Sequence, residues 1–459
     1  MRLNPAVAAG HPATADVGAA VLGAGGSAAD AAVAAVMASC VAESVMTGLM
    51  GGGHAIYWDA ASGEAWNLDC FCSAPSGTGG ELVDVVVPFG EELVHYAIGP
   101  ASFAVPGLPA GLGALHERFG RLPWADLCKP AMDLARIGVE MPAAQAACLE
   151  MLAPVMTLNA GARIYAPEGE LLRTGDRLRQ PGLEKVFALL AMEGSSSAYS
   201  GSLAESMLSL MRRSGGGLVT RDDLVDYEAR WREPVDVEYA GVRVLTRGGL
   251  SGMPELLAQL PVLRELDQAE RVLVLLPLLE TRGPETHTTN TSVVDADGNA
   301  CVFTTSLGLG SGDFLPGLDL HLNSMLGEVD LLVGDLAPGA RMASMMAPTL
   351  AVDADGLAAA AGAAGGTRLR TALALVLAGV LDEGLAPQVA VDRPRVHPAG
   401  DVVNAEPGVD EGALMRLEAS GRTVRRWTAP HHYFGGVSVV AREGAAADPR
   451  RSGASRALR

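Results

Sequence analysis

Residues 285–306 read ETHTTNTSVVDADGNACVFTTS, and this stretch decides how the rest of the chain is read. Two adjacent threonines, Thr288 and Thr289, stand directly before a strand–turn–strand pattern. Val293, Val294, Cys301, Val302 and Phe303 suit strands. Residues 295–299 supply the turn, with Gly298 available for a positive φ. A threonine that opens a strand is ordinarily only a good β-former. It becomes a nucleophile when the chain is cut just before it, because its new α-amino group then acts as its own base. The stretch alone leaves both readings open.

Outward from it, the chain alternates in blocks. Ser27 is an N-cap with Asp30 in the first turn, and it opens an Ala- and Val-rich helix from Ala28 that must be buried on most sides. Residues 54–58 and 65–70 form a hairpin. Residues 101–142 are helical with Pro breaks, and Gly138 caps the helix that Leu122-Pro123-Trp124 opens. Residues 140–235 are mainly helical, with a capped start at Thr220. Residues 235–245 pair around Ala240-Gly241. Helices occupy 253–280. Residues 352–356 repeat the turn of 294–298, a shared hairpin device. Residues 367–381 form a long apolar helix, and 437–442 a last strand before a polar, frayed tail. Helices and antiparallel hairpins in blocks favour α+β over a doubly wound sheet.

The totals limit what the chain can do. Its 459 residues with 49% hydrophobic content are globular. A net charge of −19 argues against nucleic acid and against an anionic membrane surface. Residues 1–18 show no signal peptide, and no apolar run reaches the roughly 20 residues that span a bilayer. A cytoplasmic protein is expected. The six cysteines show no zinc spacing and read as reduced thiols. No HExxH, GxSxG or P-loop pattern occurs, so neither a metal nor another cofactor is expected. The glycine clusters at 23–26, 51–53, 215–217, 308–312 and 362–366 suit tight turns. Where one faces a ligand, its main-chain N–H groups can meet a developing oxyanion.

Ordered matches across nearly the whole chain resemble the gamma-glutamyltransferases, which are N-terminal-nucleophile hydrolases. Residues 25–34, GGSAADAAVA, look like the family's GGNAVDAAVA. Residues 47–53, TGLMGGG, are similar to SGIGGGG. Residues 104–112, AVPGLPAGL, look like GVPGTVAGL, and residues 122–127, LPWADL, are similar to LPWAELL. Residues 288–300, TTNTSVVDADGNA, resemble TTHYSVVDKDGNA. Residues 341–349, RMASMMAPT, are similar to RPLSSMSPT, and residues 365–368, GGTR, to GGSR.

The resemblance implies a four-layer αββα sandwich and a precursor that cuts itself between His287 and Thr288. The products would be a large subunit, 1–287, and a small subunit, 288–459, with a homodimer of these left open. Thr288 would attack the preceding carbonyl and, once freed, a substrate amide. Gly365 and Gly366 would hold the oxyanion, Thr289 would orient Thr288, and Ser306 would keep the supporting hydroxyl. Ser344, Met345, Asn323, Glu328 and Phe71 fall at substrate-binding positions.

The departures cluster at the glutamyl end. Phe71 stands where the family carries an Arg for the glutamyl carboxylate, and an uncharged ring cannot replace a bidentate guanidinium. Residues 322–328, LNSMLGE, are one residue shorter than LNNQMDDF. Met345 replaces the second of two serines, and the stretch before Thr288 is short. The expected activity is amide hydrolysis or transpeptidation on γ-glutamyl amides such as glutathione. The alternatives are an acylase for less polar acyl amides and a non-catalytic binding relative. An Arg from another loop in place of the missing anchor stays open.

Overall fold

The computed structural model describes residues 3–89, 92–280, 288–334 and 336–458. His287, half of the expected scissile bond, lies outside them. The chain is α+β, built on two large antiparallel sheets. The first sheet runs in the order Ala454–Ala457, Ala6–Ala9, Thr289–Val294, Ala300–Ser306, Gly52–Asp59, Glu64–Cys70 and Arg230–Arg232. The second runs Gly444–Ala447, Gly436–Ala441, Gly356–Ala364, Thr349–Asp353, Val242–Thr246 and Val235–Tyr239.

The sequence 285–306 explains the centre of the first sheet. Strands Thr289–Val294 and Ala300–Ser306 pair from Thr289↔Thr305 to Val294↔Ala300. The turn between them closes because Asp295 accepts from the N–H groups of Asp297 and Asn299, while Gly298 takes φ 87°. The second oxygen of Asp295 accepts from Ala28 N at 2.9 Å, which ties the turn to the start of the helix Ala28–Ala42.

That helix forms as its cap requires. Ser27 and Asp30 make a reciprocal capping box. All fifteen of its residues are buried. Ala and Val on every face let it sit closely against the strand pair 289–306 and the helices Pro12–Gly23 and Trp124–Ile137. Asp30 does more than cap, since it also accepts from the N–H groups of Arg121 and Leu122 at 2.9 and 3.2 Å.

Three apolar clusters hold the two sheets. One gathers Ala8, Ile56, Val294 and Val302 of the first sheet with Leu350, Ala360 and Val440 of the second. Another joins the helix Ala28–Ala42 and its neighbours to Val293, Cys301 and Phe303. A third joins the helix Arg368–Leu381 to Ala359, Ala361, Val437 and Val439.

The polar tail departs from expectation. Beyond the strand Gly436–Ala441 the chain adds Gly444–Ala447 to the second sheet and Ala454–Ala457 to the edge of the first. It is ordered because the edge of each sheet offers it a ladder, and because buried Arg450 pairs with Glu406. A hairpin of Val83–Phe89 and Glu92–Ile98 is also present, outside the expected elements. The six cysteines are buried free thiols. No helix among the described residues is long and apolar enough to cross a membrane.

Candidate active site

The antiparallel register sets the site. Thr289 pairs with Thr305, so the next step along the ladder brings Thr288 beside Ser306. Both line one cleft together with Phe71, Ser344, Met345 and Gly366. Met325, Leu331, Met346 and Leu369 complete its wall. Ser306 accepts from Gly308 N at 2.9 Å, which fixes its hydroxyl oxygen in place.

Glycines make this approach possible. A Cβ on Gly51 would stand 2.0 Å from the carbonyl oxygen of Ser306, and one on Gly52 would stand 2.9 Å from the Cα of Phe71. The cluster at 51–53 therefore serves backbone packing that brings Ser306 and Phe71 to Thr288.

Gly365 and Gly366 form the corner between the strand Gly356–Ala364 and the helix Arg368–Leu381, with φ 130° and 56°. Gly366 lines the cleft, and the corner lies at a helix N-terminus, where backbone N–H groups and the helix dipole favour negative charge. A Cβ on Gly365 would meet Gly435 Cα at 2.8 Å, so only glycine fits there.

Phe71 is held from behind. Its carbonyl accepts from Tyr227 and from Arg341, each at 2.7 Å, and its ring stacks on His54. Arg341 also pairs with Asp69 at 3.3 Å. Arg247 donates to the carbonyls of Ser344 and Met346 at 2.9 and 3.0 Å, and burial pushes its guanidinium down to about 10. Arg341 and Arg247 are thus engaged with backbone.

Two expected substrate ligands stand away from the lining. The Asn323 amide accepts from Ala104 and Met325 N–H and donates to the Met50 and Ala104 carbonyls. These four bonds fill its capacity, so its place is that of a loop brace. Glu328 is buried beneath the same loop, and neither carboxyl oxygen has a hydrogen-bond partner among the described residues. Burial, with a smaller push from Asp330, raises it to about 8.

Thr289 points to a different group. Its hydroxyl donates a short bond to Glu43, which also accepts from Thr14 at 2.7 Å. Arg451, from the tail, donates to the Thr288 carbonyl at 3.5 Å. Glu43 and Arg451 are absent from the residues expected at the site. A signal for Glu43 existed: an acidic residue directly after an Ala- and Val-rich helix sits at the end the dipole disfavours, and this asks for a local reason.

The chain resembles known proteins over nearly its whole length. Residues 14–281 and 276–458 match the family model described as Gamma-glutamyltranspeptidase. The chain is 28% identical to the Acylase ACY 1 proenzyme of Pseudomonas sp. (strain V22), over 95% of this chain and 89% of that one. It is also 28% identical to the Glutathione hydrolase proenzyme of Pseudomonas aeruginosa, over 85% and 82%. The crystal structure of a cephalosporin acylase from Bacillus halodurans shares the fold, with TM-score 0.81 at 23% identity, over 100% of this chain and 96% of that one. The chain therefore belongs to the gamma-glutamyltranspeptidase family, enzymes of the N-terminal-nucleophile hydrolase type.

Proposed function

We propose that this chain is a self-processing threonine amidohydrolase whose pocket takes an acyl group less polar than γ-glutamyl. The cut falls between His287 and Thr288 and yields segments 1–287 and 288–459. Both fold together as one four-layer αββα sandwich. The three clusters that join helix to sheet, sheet to sheet and sheet to helix support that layering.

The chemistry follows from one nucleophile used twice. Thr288 Oγ1 attacks the preceding carbonyl, the peptide becomes an ester, and water releases the new amino terminus. The freed amine then takes the proton from the same Oγ1 as it attacks a substrate amide. The Gly365-Gly366 corner offers N–H groups to the oxyanion, and Ser306 offers a hydroxyl beside the nucleophile. The leaving amine departs protonated, and water or an acceptor amine resolves the acyl-enzyme.

The observation that carries the acyl preference is the lining of the cleft. Phe71, Met325, Leu331, Met345, Met346 and Leu369 dominate it, and no Lys or Arg lines it among the described residues. An α-carboxylate placed there would be desolvated without a cation, at a cost of several kcal/mol. An apolar acyl chain gains about 25 cal/mol per Å² buried. The relatives' names include acylase and glutathione hydrolase at equal identity, so the lining is the stronger guide.

Paired assays test the preference. Phenylacetyl para-nitroanilide should turn over with a higher kcat/KM than γ-glutamyl para-nitroanilide. Phe71→Arg should raise glutamyl kcat/KM by about 10-fold or more, the worth of a charge-assisted bond. Turnover of the glutamyl substrate alone, with no gain in the variant, would count against an apolar pocket.

A further inference from the structure

Thr288 lines a second cavity besides the acyl cleft. It is lined by Glu43, Thr288, Thr289, Gln145 and Arg451, among others. We propose that Glu43, acting through Thr289 and together with Arg451, is a positioning residue for the Thr288 nucleophile. This inference rests on the reading of Thr288 as nucleophile and adds what aims it.

Glu43 is an expensive group to keep where it is. It is buried at the C-terminal end of the helix Ala28–Ala42, where the helix dipole repels an anion. It makes no ion pair within 4 Å among the described residues; its two oxygens take hydroxyl bonds from Thr14 and Thr289. Burial pushes it up to about 7, against the two hydroxyl bonds and the charge of Arg451. Asp448, the other carboxylate lining this cavity, is already paired with Arg395 and Arg450. An apolar residue would serve the core better than Glu43, so its retention calls for a partner that needs it.

The partner is the peptide unit after Thr288. Glu43 holds the side chain of Thr289, and Arg451 holds the carbonyl of Thr288. Together they fix the plane of the Thr288–Thr289 peptide, the platform from which the Thr288 side chain projects. Gly10 makes room for this contact: a Cβ there would stand 2.3 Å from Glu43 Oε2 and 2.6 Å from Thr289 Oγ1.

Self-cleavage of the purified full chain is the first readout, since it needs no substrate. Turnover of whichever para-nitroanilide the wild type accepts is the second. Glu43→Gln and Thr289→Val should each slow cleavage and lower kcat by between ~10- and ~100-fold, the penalty of a misaimed nucleophile, with KM held within about twofold. Thr289→Ser keeps the hydroxyl and should stay near wild type. The double variant should be no slower than the worse single one, because both act on one contact. Thermal midpoints separate aim from folding. Wild-type cleavage rate and kcat in a folded Glu43→Gln protein, or losses in kcat and KM that only follow the midpoint, would overturn the proposal. Thr288→Ala is the control: if it is inert while Glu43→Gln is normal, only the positioning role fails. If Thr288→Ala still cuts and turns over, the nucleophile reading fails and takes this one with it.

Discussion

Glu328 carries its carboxyl without a hydrogen-bond partner among the described residues, and that has a consequence for stability. Unfolded, the group releases its proton near an ordinary 4.5; folded, near 8. Between those values the folded state binds the extra proton, so stability falls as pH rises and levels off above about 8. By pH 7 the contribution approaches ~3 kcal/mol. Glu328→Gln cannot titrate. Unfolding midpoints measured from pH 5 to 8 should therefore fall less steeply in the variant than in the wild type; parallel curves would show that the group is solvated. Part of this site was legible from residues alone. Thr288, Ser306, Gly366, Ser344, Met345 and Phe71 share one cleft, as their places in the family motifs imply. Asn323 was legible as a position but not as a role, because only the fold reveals that its four bonds are taken by backbone. The meeting of Glu43 with Thr289 spans 246 residues of sequence, and no local pattern encodes it.

At the scale of elements, Asp30 is the cheapest test of how the fold is tied. Its carboxylate closes the capping box and holds the N–H groups of Arg121 and Leu122. Asp30→Ala removes the cap and leaves those partly buried donors without the carboxylate, and should cost ~1–3 kcal/mol. Urea unfolding in a Thr288→Ala background, which keeps the chain whole, would measure it; a loss under ~0.5 kcal/mol would mean that water replaces the carboxylate. Elements with strong local signals were legible: the capped helices at Ser27 and Thr220, and the turns at Gly298, Ala240-Gly241 and Gly356. The strand Gly356–Ala364 was not. Its sequence GLAAAAGAA favours a helix, yet it is a central strand of the second sheet. Small residues are needed there because the sheets approach closely. A Cβ on Gly362 would stand 2.1 Å from the side chain of Asn290 in the opposite sheet. Tertiary packing overrides propensity at that point. The tail departs from expectation for a related reason: its strands at 444–447 and 454–457 are only four residues each, and they exist because sheet edges receive them.

For the whole molecule, the layout places Thr288 where both sheets contribute. The first sheet brings Thr288 and Ser306. The second brings the Gly365-Gly366 corner, and the tail returns to bring Arg451. Cutting before Thr288 leaves its strand paired on both sides, so the two segments should stay associated after cleavage. The central claim is that Thr288 cuts its own chain. A denaturing gel of purified wild-type protein beside Thr288→Ala, with N-terminal sequencing of the smaller fragment, tests it most directly. The expected result is two fragments from the wild type, the smaller beginning at Thr288, and one full-length band from the variant. A wild type that stays full length after long incubation, or a variant cut like the wild type, would contradict it.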